Sequence, residues 1–120
     1  MSQISHRELV QALAKDGDTI AQELTGDDAH NLHMAVGIAG EAGELLDAIK
    51  KHVIYRKPLD RENVIEELGD LEFYMEGLRQ RLGISREDTL DANITKLSKR
   101  YHSLNYTDAH AQERADKVAG

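Results

Sequence analysis

The chain has 120 residues and a net charge of −7. That length fits one domain over residues 1–120, and that charge argues against a nucleic-acid partner, which would require a basic face. The absence of cysteine rules out disulfides and thiolate metal sites, and one Phe with no Trp leaves aliphatic side chains to build the core.

Long proline-free stretches with apolar residues at three- and four-residue steps predict four helices and no strand; the only proline is Pro58. The first helix opens at Ser5, where Ser5 and Glu8 form a capping-box pattern, and runs to about Glu23. The second starts after Asp27-Asp28 and runs to about Val53. Tyr55-Arg56-Lys57-Pro58-Leu59 reads as a loop. Asp60 is a good N-cap for the third helix, which ends near Leu82, with Gly83 where a C-cap glycine belongs. Ser85 and Asp88 suggest a further cap, and the fourth helix spans about Arg86 to Arg100. From Tyr101 onward the chain is polar, so the expected core is about 5–100 and the expected tail, 101–120, is irregular or partly ordered. Short connections predict an all-α four-helix bundle. No signal peptide or long apolar run is present, which makes the cytoplasm the expected compartment and argues against a membrane partner.

Helical geometry then places the chemistry. On the second helix Ile38, Ala42, Leu45, Leu46 and Ile49 form an apolar arc. Gly37, Glu41, Glu44 and Ala48 share one edge of it, with His33 and Lys51 nearby. On the third, Val64, Leu68, Leu71, Met75 and Leu78 form the arc, and Asn63, Glu67, Asp70 and Tyr74 form the border stripe. On the fourth, Leu90, Ile94 and Leu97 are apolar, and Asn93, Lys96 and Arg100 form the polar stripe. If the arcs face a shared core, the stripes converge and bring four carboxylates together. Hard divalent cations would relieve their repulsion, and Lys96 and Arg100 would supply donors for phosphate oxygens. A single E-x-x-E is usually just a solvated helix face. Two such pairs beside core arcs, flanked by Gly37, Gly40, Gly43 and Gly69 inside helices, point further, because each such glycine costs about 1 kcal/mol relative to Ala. Those glycines serve close helix packing, room for metals and phosphates, or both.

Three ordered blocks carry a family resemblance: His33-Met34-Ala35-Val36-Gly37-Ile38-Ala39-Gly40-Glu41-Ala42-Gly43-Glu44-Leu45 continuing through Lys51; Glu66-Glu67-Leu68-Gly69-Asp70 followed by Tyr74; and Asn93-Ile94-Thr95-Lys96-Leu97 followed by Arg100-Tyr101. They resemble the MazG-like family of the all-α NTP pyrophosphatase superfamily, whose E-x-x-E and E-x-x-D pairs are here separated by 22 residues. The resemblance covers about residues 30–106. It implies that Glu41, Glu44, Glu67 and Asp70 are catalytic ligands of Mg²⁺, with Mn²⁺ as an alternative. It implies cleavage of a nucleoside triphosphate to the monophosphate and pyrophosphate by a metal-activated water, in nucleotide-pool housecleaning. Lys96 and Arg100 match positions that face phosphates, with Asn93 supporting them; His33, Lys51 and Tyr74 complete the expected substrate-binding set. Relatives are dimers or tetramers, so a homo-oligomer is expected. The Trp residues that one branch places around the base are absent here, so base preference does not carry over. Two readings compete. A ferritin-like di-metal protein needs Glu-x-x-His pairs, which neither acidic pair supplies. A non-catalytic helical module that senses nucleotides or oligomerises would share the fold without the reaction.

Overall fold

Local capping chemistry sets most helix ends in the computed structural model, which describes residues 3–114 and 116. Ser5 accepts a hydrogen bond from the Glu8 amide (3.2 Å) and starts α1, His6–Leu13. Thr25 and Asp28 form a reciprocal capping box at the start of α3, Gly26–Val53. Asp60 accepts from the Asn63 amide to start α4, Arg61–Leu82, which ends on Gly83 at φ +70°. That left-handed value is open to glycine at no steric cost. Ser85 accepts from the Asp88 amide to start α5, Arg86–Arg100.

One departure concerns the N-terminal end of the chain. The expected first helix is in fact two, α1 and α2, Gly17–Glu23, separated by extended backbone at Ala14 and Asp16. Asp16 and Gly17 are both poor residues for a helix interior, which favours a break here, although the Asp16 side chain makes no capping hydrogen bond. Beyond α5, Leu104 takes the left-handed conformation (φ 58°) and its amide donates to the Tyr101 carbonyl (2.9 Å). The chain then enters a short helix, α6, Asp108–Glu113, capped by Thr107, within the tail expected to be irregular or partly ordered, of which 115 and 117–120 lie outside the described residues. Among the described residues the chain is all-helical, and no helix is long and apolar enough to cross a membrane.

The main packing is an antiparallel hairpin of α3 on α4; α5 contacts α6 more lightly. At one end of the hairpin Arg81 bonds Asp27 (2.8 Å) and the His30 ring pairs with the Gly77 carbonyl (3.0 Å). A Cβ at Gly77 would meet the Met34 sulfur, and one at Gly37 would fall into the Tyr74 ring, so these glycines let the two helices close. Gly40, Gly43 and Gly69 face open space within the chain.

The hairpin turns most of the expected α4 arc inward, and on α3 it turns in only Ile38 and Leu45 of the expected arc, together with the acidic border. On α3 the residues toward α4 are Met34, Gly37, Ile38, Glu41, Leu45 and Ala48, and only Met34 and Ala48 are buried. On α4 they include Val64, Glu67, Leu71, Tyr74 and Leu78. The seam therefore takes in the acidic borders together with part of each apolar arc, while the rest of each arc stays uncovered, as at Leu46 (68% exposed) and Leu68. On α5 the whole apolar stripe, Leu90, Ile94 and Leu97, is exposed. The expected four-helix bundle is thus not closed within one chain. The radius of gyration is 20.5 Å, against about 14 Å for a compact chain of this length.

Candidate metal centre

The seam brings together carboxylates from both helices. Glu41 of α3 and Glu67 and Asp70 of α4 each offer an oxygen within 4.8 Å of the others. Glu41 and Glu67 are half-buried and Asp70 is exposed. The antiparallel register produces this: from the contact of Gly37 with Tyr74, Glu41 and Asp70 lie one turn away on their helices and Glu67 two turns away on α4. Glu44 is exposed and stands outside the three-membered group, although its charge still reaches Glu67.

Glu67 records the crowding. Its Oε2 is enclosed and has no hydrogen-bond donor. Its carboxyl is pushed up to about 7, first by the hydrogen bond that a proton between it and Glu41 would make, then by burial and the charges of Glu41, Glu44 and Asp70. These are one fact seen twice, because two ionised carboxylates offer only acceptors and the bond exists when one is protonated. A cation removes the need for that proton. The donor set is entirely carboxylate oxygen, which suits a hard divalent ion such as Mg²⁺ or Mn²⁺, and the orphaned Oε2 is a ready ligand atom. The residues present fit such an ion.

The remaining candidates are dispersed. Tyr74 packs in the seam, its ring edge-on to the exposed His33 at 6.3 Å and to Phe73 at 5.2 Å. Lys51 is exposed and paired with Asp47 (3.0 Å), whose hydrogen bond and charge raise its pKa. Asn93 is exposed on α5. Lys96 and Arg100 are half-buried, and they lie toward the C-terminal tail. Arg100 donates from Nε to Asp116 Oδ1 (3.1 Å), and Lys96 and Asp116 line one open cavity of about 410 Å³ with Ala92, Thr95 and Lys99. The third polar stripe therefore does not converge on the acids through extended packing of α5 against the hairpin.

Sequence reasoning missed Gly77, His30 and Asp116. Gly77 carries the same signal as Gly37, a glycine inside a helix, and could have been found by it. Nothing local marks Asp116, because its role depends on the reversal of the chain at Leu104.

No curated protein and no solved structure matches the chain. Residues 29–104 match the MazG nucleotide pyrophosphohydrolase domain, a span that holds the three polar stripes, both acidic pairs and the whole α3–α4 hairpin but for the first turn of α3. The chain belongs to the MazG nucleotide pyrophosphohydrolase domain family.

Proposed function

We propose that this protein is a Mg²⁺-dependent nucleoside triphosphate pyrophosphohydrolase, yielding a nucleoside monophosphate and pyrophosphate, with a housecleaning role in the nucleotide pool. The observation that carries the reading is the Glu41–Glu67–Asp70 group with its donorless Glu67 Oε2, inside a domain of this family. Glu41, Glu67 and Asp70 would hold the cation, with Glu44 reaching it from the next turn of α3. When bound, the cation neutralises the carboxylates, polarises the phosphate and lowers the pKa of the attacking water. Asn93, Lys96 and Arg100 bind and orient phosphate oxygens, and the Arg guanidinium can engage two at once. Tyr74 and His33 offer an aromatic edge to the nucleoside, and Lys51 a further cation at the rim.

The same reading requires more than one copy. The chain exposes 9803 Å², where a compact monomer of its mass would expose about 6,500 Å². The excess is of the order that obligate interfaces bury, and it lies on apolar side chains such as Leu46, Phe73 and Ile94. A homodimer or homotetramer would cover them and could bring α5 of one copy beside the acids of another.

The test is pyrophosphate release from a panel of canonical and damaged nucleoside triphosphates with Mg²⁺. Release that EDTA abolishes is expected. A folded preparation that releases none from any triphosphate would refute the enzyme reading in favour of a binding module.

A further inference from the structure

The most enclosed ion pair among the described residues lies outside the acidic seam. Arg100 and Asp116 meet at 3.1 Å with side chains 17% and 4% exposed. Burial pushes the Asp116 carboxyl up, and the Arg100 hydrogen bond and charge, with a contribution from Lys96, more than reverse this, leaving it below the ordinary aspartate range. The contact is built rather than incidental. The chain reverses at Leu104, Thr107 caps α6, and Tyr101 packs against Tyr106 (5.5 Å) and His110 (6.2 Å). His102 stacks on His110 at 5.1 Å. Arg100 and Lys96 lie within the family domain, which ends at residue 104, whereas α6 and Asp116 lie beyond it.

An Arg fork donates to a carboxylate or to a phosphate through the same N–H groups. We propose that residues 105–114 with Asp116 act as an autoinhibitory strap, whose Asp116 carboxylate occupies the cationic position that Lys96 and Arg100 otherwise present to substrate phosphates. This rests on the reading of Lys96 and Arg100 as phosphate-binding residues. Substrate must displace a single carboxylate held within the chain, so apparent affinity is reduced by the fraction of molecules with the strap released. A triphosphate carries several charges and wins when abundant. The strap thus raises the substrate concentration needed and leaves turnover at saturation unchanged.

The test uses the full chain and inorganic tripolyphosphate in Mg²⁺ buffer, followed by calorimetry, so that hydrolysis of a nucleotide is not needed. Asp116→Asn, with its helicity checked, should bind tripolyphosphate about three- to tenfold more tightly than the wild type, the range expected for loss of one partly enclosed carboxylate competitor. In the wild type, tripolyphosphate should speed amide exchange over 108–113 as the strap leaves. Equal or weaker binding by Asp116→Asn, or unchanged or slower exchange in α6, would overturn the proposal. If tripolyphosphate behaves as expected but no nucleoside triphosphate is hydrolysed, only the enzymatic reading fails. If hydrolysis is found and Asp116→Asn has no effect on binding, only the strap fails.

Discussion

Gly37→Ala should loosen the hairpin at the point that sets the spacing of the acids. Two effects oppose each other. Ala is the better helix former by about 1 kcal/mol. Its Cβ, however, would enter the Tyr74 ring, which is half-buried and flanked by Phe73 and His33. Overpacking of this kind costs about 1–3 kcal/mol. Gly43→Ala isolates the first effect, because a Cβ there meets nothing within 4 Å. The helix contribution cancels between the two variants, leaving Gly37→Ala less stable than Gly43→Ala by about 1–3 kcal/mol, or roughly 5–15 °C in melting temperature for a chain of this size. Circular dichroism melts in EDTA read this directly. Since Glu41 and Asp70 lie one turn beyond the contact, Gly37→Ala should also weaken divalent-metal binding, whereas Gly43→Ala should not. A Gly37→Ala protein as stable as Gly43→Ala would refute the argument that this approach is close.

Further outcomes follow from the site and from the uncovered faces. The Glu67 carboxyl lies at about 7, above the ordinary glutamate value of 4.5, so the folded state holds a proton that the unfolded state releases between those values. The stability of the metal-free protein should therefore fall as pH rises from about 5 to about 8, and Glu67→Gln or saturating Mg²⁺ should flatten that slope in thermal melts. Leu46→Glu and Ile94→Glu place charge on faces that are 68% and 64% exposed in the single chain. If copies cover those faces, light scattering should show smaller assemblies for both variants; unchanged mass would remove the oligomeric reading. Glu41→Gln and Asp70→Asn should each abolish pyrophosphate release with helicity intact, and activity retained in both would show the ligands misassigned.

The ends of α4 and α5 are legible in the sequence because Asp60, Gly83 and Ser85 act on backbone groups within a few residues of themselves. The break at Asp16-Gly17 carries the same kind of local signal, yet helical periodicity on either side obscures it. Helical spacing puts Glu41 beside Glu44, and Glu67 beside Asp70, with no knowledge of the fold. It does not say which border of an apolar arc meets the partner helix. The apolar arcs suggest that they face the core, and in one chain most of the α4 arc does, but on α3 the seam shifts toward the stripe that contains Gly37 and Glu41, where the glycine leaves room for the Tyr74 ring. Periodicity reports that a face will be covered without naming what covers it. Ile94 and Leu46 stay exposed in the single chain, and Arg100 is claimed by a tail residue that no spacing rule connects to it.

The central claim is that Glu41, Glu67 and Asp70 form a divalent-cation site, and titration of Mn²⁺ followed by its free-ion paramagnetic resonance signal tests it most directly. The wild type should quench the signal, Mg²⁺ should restore it by competition, and Asp70→Asn should bind markedly less. A folded wild-type protein that leaves the Mn²⁺ signal unchanged, or an Asp70→Asn variant that quenches it equally, would contradict the account.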